Sequence, residues 1–263
     1  MRIMSGCERP VVVFLAGAAM GDLVRAIASM SAVDLGRWAV IGGVAVAARL
    51  GQAHRVTADV DTVVDQDHQP AALAVLHALP SASADPAGGP HRLLLGGTKV
   101  EVLEVGVMPT PGALGELTAR QRLFVASHSW ALHTASAVTV ASVGTGAVQA
   151  TAPFATAAAL VAMKLHAIQD RTGDGQAKRA GDAWDLHQLL TVRNRTGAIS
   201  RALRAGPEAL RHAVRKAART VLVDGAPRTR SWLRTSGGLP ATISVEEIKK
   251  PRSATLRRDS CPD

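Results

Sequence analysis

The apolar positions of this chain change rhythm most clearly between Trp38 and Val64. Trp38 to Ile41 is a four-residue apolar run that breaks at Gly42-Gly43, and Val44 to Leu50 resumes with small apolar residues at helical spacing. Gly51 to Arg55 reads as a loop, and a second strand carries Asp59-Val60-Asp61. The order predicts strand, glycine turn, helix, loop, strand. Elsewhere the pattern predicts an opening helix over 11–35, a helix over Ala71 to Leu79, and a turn-rich loop from Pro80 to Pro90. His91 to Val107 reads as a hairpin about Gly96-Gly97-Thr98. Pro109 to Ala126 reads as a linker and then a helix with Arg120 and Arg122, and Ser127 to Ala152 as one or two strands. Pro153 and Thr156 open a helix to about Asp170 that Gly173 to Gly175 end. A further helix carries Asp182 and Asp185, and 197–223 is a basic amphipathic helix or pair. The fold class is α/β (α+β), a mixed sheet flanked by helices over 1–150, then a helical domain over 151–225. The basic tail, 226–263, has little to bury and is expected to be mostly disordered.

The chemistry starts from the second strand. Strand side chains alternate faces, so Thr57, Asp59, Asp61 and Val63 share one side, while Ala58, Val60, Thr62 and Val64 share the other. The apolar side goes to the core, leaving two carboxylates about 7 Å apart. Like charges so placed call for a cation between them, and hard oxygen ligands at that spacing suit Mg²⁺. A glycine pair between strand and helix lets backbone N–H groups approach an anion closely. Metal on one side and amides on the other make a nucleoside triphosphate site. A lone Asp-x-Asp or Gly-Gly means little; the ordered combination is more specific.

These residues resemble the nucleotidyltransferase superfamily, and GGVAVAARLG followed by RVTADVD is similar to the AbiEii-type nucleotidyltransferase toxins, a family that includes the MenT toxins. The resemblance implies a nucleotidyltransferase-like fold and transfer of a nucleoside monophosphate from an NTP to an acceptor hydroxyl, an EC 2.7.7-type reaction. Asp59, Asp61 and Glu101 are then the metal ligands for two Mg²⁺ ions. Gly42, Gly43, Thr57, Lys164 and Asp182 hold the nucleotide, and Lys164 and Asp185 join the three carboxylates in catalysis. Glu101 corresponds to a third carboxylate on the strand beside Asp-x-Asp, where relatives often carry Asp, and Glu104 falls on the opposite face toward solvent. The stretch around Lys164, followed by K-R-x-x-D-x-x-D-L, carries the second half of the resemblance. From the residues alone two readings of Lys164 stand side by side. It sits on a stripe with Leu160, Ile168 and Arg171, and either a phosphate or one of Asp182 and Asp185 would balance its buried charge. His166 and His187 fit a polar helix edge and receive no role.

Composition narrows the partners. With 263 residues, 47% hydrophobic, the chain can bury a real core. Only 3% is aromatic and there is no Tyr, which argues against a surface for stacking single-stranded bases. The net charge of +9 is uneven: residues 1–190 hold 14 Lys and Arg against 15 Asp and Glu, residues 191–263 hold 16 against 6. That basic quarter is compatible with an RNA acceptor, and the family implies tRNA together with a cognate antitoxin. Cys7 and Cys261 support neither a disulfide framework nor a zinc site. The run Val11 to Met20 has the length of a signal-peptide core but continues smoothly into a helical pattern, so an opening helix or a misplaced start codon is preferred. Trp130 to Met163 is too rich in Thr, Ser and Gly for a membrane span, and a cytoplasmic protein is expected. Two alternatives remain: an aminoglycoside-type small-molecule nucleotidyltransferase, which should want an acidic pocket not visible here, and a non-catalytic member that binds nucleotide or a partner protein.

Overall fold

The computed structural model describes residues 12–16, 18–66, 69–86, 88–106, 114, 116–144, 146–171, 175–235 and 244–249. Cys7, Cys261, Pro109 and Gly173 lie outside them, as do 236–243 and 250–263. By internal contacts the chain divides into one unit of Met1–Glu104 with Ala135–Ala155, and another of Val105–Thr134 with Thr156–Asp263. This is not a single cut at residue 150. A helix and its lead-in, 105–134, join the second unit from within the first stretch of chain.

The first unit is built on an eight-stranded mixed sheet. Its strands are β1 (Val12–Leu15), β2 (Trp38–Ile41), β3 (Asp59–Asp65), β4 (Ala82–Ala84), β5 (Arg92–Leu95), β6 (Thr98–Val105), β7 (Ser136–Ser142) and β8 (Gln149–Phe154). They lie in the order β1-β7-β8-β2-β3-β6-β5-β4. The β1–β7 and β2–β8 pairs are parallel, while β2–β3, β4–β5, β5–β6 and β7–β8 are antiparallel. Every residue of β2 is buried, as a central strand covered on both faces requires.

Helix α1 (Ala18–Ser31) buries Leu23, Val24, Ile27 and Met30, a stripe at helical spacing that packs on β7 and β8. Helix α2 (Gly42–Leu50) is made of small residues and is buried along nearly all its length. It ends at Gly51, whose φ of 83° is the left-handed conformation that glycine adopts without strain. Arg49, in its last turn, donates to the carbonyls of Phe154 at 2.6 Å and Ala155 at 2.8 Å and to the Ser136 hydroxyl at 2.8 Å. Those bonds lock α2 to the ends of β7 and β8 and so fix where its N-terminus points. A short helix, α3 (Gln69–His77), follows β3.

The second unit is helical. It contains α4 (Ala119–Thr134), α5 (Ala157–Asp170), α6 (Gln176–Gln188), α7 (Ala198–Ala205), α8 (Glu208–Ala218), α9 (Ala226–Thr235) and α10 (Val245–Lys249). Helix α6 runs into wider π turns over Leu189–Arg193, and α8 does so over Arg219–Asp224. Helix α5 starts at Thr156, whose side chain accepts from the Ala159 N–H, and it packs against α4 and α6.

Five expectations change. The opening segment is not helical throughout, because Val12–Leu15 is a β-branched and aromatic run that pairs in parallel with β7 before α1 begins. The loop after α3 contains β4, which adds an edge strand to the Gly96-Gly97 hairpin. Residues 127–134 continue α4 rather than forming a strand, and Pro153 lies inside β8 opposite Ala137 rather than opening α5. The supposed disordered tail is ordered over Ala226–Thr235 and Val245–Lys249. There Ala226, Thr229, Leu233 and Ile248 are buried, Thr229 Oγ1 donates to the Val221 carbonyl at 2.7 Å, and Arg179 lies 5.0 Å from the Trp232 ring centre.

Candidate active site

In the first unit, Asp59 and Asp61 stand on one face of β3, both half-buried, while Val60, Thr62 and Val64 turn into the core. The alternation read from the sequence therefore places both carboxylates where solvent reaches them. Antiparallel pairing sets Asp61 opposite Ile41, the last residue of β2, so its side chain reaches the first residue of α2. A methyl group on Gly42 would come within 2.0 Å of Asp61 Oδ2, and Gly42 has a φ of +69°. Gly42 is thus required twice, by its left-handed backbone and by the carboxylate that fills the space where a Cβ would be. The N-terminus of α2 has no side-chain cap, which leaves its amides and the positive end of the helix dipole facing this corner.

Cations occupy the same strand face. Lys99 Nζ lies 3.2 Å from Asp59 Oδ2, and Arg92 Nε donates to Glu101 Oε2 at 3.0 Å. The hydrogen bond and charge of Glu101, with a smaller contribution from Asp61, raise the Arg92 pKa above its ordinary value. Thr62 Oγ1 bonds the Glu101 carbonyl at 3.0 Å and ties β3 to β6, the adjacency expected for the third carboxylate. Glu104, near the end of β6, is exposed, as expected.

The carboxylate pair suits a divalent cation in donor type: two part-exposed hard oxygen ligands on one strand face, as an ion that also takes water and phosphate oxygens uses. The three-carboxylate set does not assemble. Glu101 is turned to Arg92, and among the described residues no three His, Cys, Asp or Glu side chains are gathered closely enough to hold a metal ion.

In the second unit, Lys164, Asp182 and Asp185 come together between α5 and α6. Lys164 Nζ lies 2.7 Å from Asp182 Oδ1 and 2.7 Å from Asp185 Oδ2, while Arg171 Nε meets Asp182 Oδ2 at 2.5 Å. All three are buried, Asp185 completely. Of the two readings left open for Lys164, the structure holds the ion pair, and with both aspartates at once. Spacing of three residues on α6 puts both acids on the face that meets the lysine.

His166 has less solvent than a helix edge provides. Its ring lies 5.2 Å from Phe124, and the His128 ring lies tilted against Phe124 at 4.2 Å with Nδ1 2.7 Å from the Phe124 carbonyl. Burial pushes His128 down to about 4 and lowers His166 as well.

Sequence reasoning missed Lys99 and Arg92. Both were legible: a two-residue Gly96-Gly97 turn, with φ of 57° and 82°, fixes the register Leu95 to Thr98 and therefore Arg92 to Glu101. Lys99 then shares the Glu101 face by parity.

A mixed sheet that presents paired aspartates beside a glycine-started helix defines a nucleotidyltransferase-like protein. The chain belongs to the AbiEii family, described as nucleotidyl transferase AbiEii toxin of type IV toxin–antitoxin systems, whose model matches residues 27–259. A comparison with curated proteins finds no match. Membership implies a cognate antitoxin as partner. No helix among the described residues is long and apolar enough to cross a membrane.

Proposed function

We propose that this chain is a Mg²⁺-dependent enzyme that transfers a nucleoside monophosphate from an NTP to a hydroxyl of tRNA. The observation that carries the reading is the Asp61 carboxylate seated against Gly42 at the uncapped start of α2, with Asp59 beside it on the open face of β3. Bound Mg²⁺ supplies Lewis-acid polarisation of phosphate oxygens and neutralises their charge. Asp59 and Asp61 would hold and orient the ion. The amide N–H groups at Gly42 and Gly43 donate to the outer phosphates, and Thr57 adds a hydroxyl donor. The acceptor oxygen forms a bond to the α-phosphorus, the α–β bridging P–O bond breaks, and pyrophosphate leaves while the hydroxyl proton passes to solvent. Positioning and electrostatics supply most of the rate in such transfers.

The resemblance also assigns Lys164, Asp182 and Asp185 to the chemistry.

Support for a polyanionic acceptor comes from the second unit. Between residues 191 and 235 there are eleven Lys and Arg against two Asp and Glu, and Arg201, Arg204, Arg211, Arg215, Lys216 and Arg219 are exposed on α7, α8 and the turn after it. Counterion release makes such a face bind RNA with strong salt dependence. Lysine and arginine beside the carboxylates also disfavour a cationic aminoglycoside acceptor. The test is incubation with each labelled NTP, Mg²⁺ and total tRNA. Label should enter tRNA with the wild type and not with Asp61→Asn; label on no RNA, under any NTP, overturns the tRNA assignment.

A further inference from the structure

The β5–β6 hairpin brings two cations onto the sheet face that carries Asp59 and Asp61. Its tight turn pairs Leu95 with Thr98, which leaves Lys99 half-buried on the face of Glu101 while Val100 and Val102 fill the core. Strand β6 lies beside β3, and the Thr62 bond to the Glu101 carbonyl at 3.0 Å holds the two strands together there. Arg92 is engaged by Glu101 at 3.0 Å, and it is Lys99 that meets Asp59, with Nζ 3.2 Å from Oδ2. That contact is longer than the 2.7 Å pairs that Lys164 makes, and 30% of the Lys99 side chain and 32% of the Asp59 side chain are exposed. An ion pair so open to water adds little to stability. An ammonium is also a compact point charge on a flexible stem, without the planar fork by which a guanidinium grips a carboxylate through two donors. Asp59 can therefore give up Lys99 at small cost. A divalent ion on the same carboxylate would repel that ammonium, so the two cations compete for it.

We propose that Lys99 is a resident counter-cation of the Asp59–Asp61 pair, which neutralises Asp59 while no metal is bound and which a divalent ion must displace to use that carboxylate. This rests on the metal-dependent reading above and adds to it a residue that sets how readily metal enters. Two carboxylates on one strand face repel each other, and Lys99 relieves that repulsion in the metal-free protein. The same contact must be given up when an ion arrives, so free metal binds less tightly than the bare carboxylate pair would allow. No covalent bond is made or broken; one cation replaces another on the Asp59 oxygen.

The test is calorimetric titration of the full chain with Mn²⁺, without nucleotide, in wild type, Lys99→Met, Lys99→Gln and Lys99→Arg. Lys99→Met should bind Mn²⁺ about fivefold or more tightly than wild type, with Lys99→Gln alike and Lys99→Arg no tighter than wild type. A structural role alone would move the melting temperature and leave the Mn²⁺ affinity where it was. Melting curves verify that each variant is folded, and Lys99→Gln stands in should Lys99→Met not fold. A gain below about fivefold in the variants that remove the charge, or an equal gain in Lys99→Arg, overturns the role of Lys99. If that happens while Asp61→Asn still loses Mn²⁺, the metal reading stands and only the Lys99 assignment falls. If neither wild type nor Lys99→Met binds Mn²⁺ at millimolar concentrations, or if Asp61→Asn binds it as the wild type does, both fall.

Discussion

Two groups of opposed charges in this protein use the same side-chain types in opposite ways. At the β3 corner of the first unit, Asp59 and Lys99 are each about one-third exposed and meet at 3.2 Å. In the second unit, Lys164, Asp182 and Asp185 are buried and meet at 2.7 Å. Water screens the first pair, so it adds little to stability and its carboxylate can exchange one cation for another. The second cluster has given up its hydration, and each member depends on the others. Solvent access, more than residue identity, separates charges that can handle a substrate from charges that hold helices together.

The largest stability effect belongs to the buried cluster. Lys164→Met removes the buried cation that Asp182 and Asp185 share and should destabilise the fold by about 3–5 kcal/mol, read by urea or thermal melting. Adding Asp182→Asn and Asp185→Asn to that variant should restore most of the loss. A Lys164→Met protein of unchanged stability would erase the distinction between the two regions.

Acid tests the second unit next. His128 is buried neutral, with a folded pKa of about 4 against an unfolded value of 6.5, so the unfolded chain takes up the proton first. Stability from this group is fully present above about pH 6.5 and is lost as the pH falls toward 4, on the order of 3 kcal/mol in all. His166, also lowered, contributes in the same direction. His128→Gln should flatten the melting temperature against pH over that window, and an unchanged slope would remove the histidine from the account.

A smaller stability effect, with a disproportionate effect on activity, is expected at Gly42→Ala. A left-handed φ of +69° and the Asp61 contact make alanine cost about 1–3 kcal/mol, while displacement of the Asp61 carboxylate should abolish transfer. Activity retained in that variant would separate Asp61's placement from the chemistry.

Much of the first region was legible in the sequence because β3 has a period of two with one apolar face, and a glycine pair marks the turn that α2 needs. The hairpin register followed from Gly96-Gly97. The Glu101 orientation did not, since it depends on Arg92 lying opposite. Strand β1 was hidden because Val-Val-Phe-Leu runs into a helical pattern without a break, and only its pairing with β7 decides its state. In α9, the spacing of Ala226, Thr229 and Leu233 fits a helix face, but high charge between those positions obscured it. The ion pair of Lys164 with Asp182 or Asp185 was one of two readings the residues left open, and that both bind at once required the packing of α5 on α6.

The most direct test of the central claim compares wild type with Asp61→Asn for NTP binding by calorimetry, with and without Mg²⁺, beside label transfer to tRNA. Asp61→Asn should lose the Mg²⁺-dependent part of NTP affinity and cut transfer by about a hundredfold or more, with a melting temperature within about 2 °C of wild type. Equal Mg²⁺-dependent binding and equal transfer by the two proteins would contradict the account.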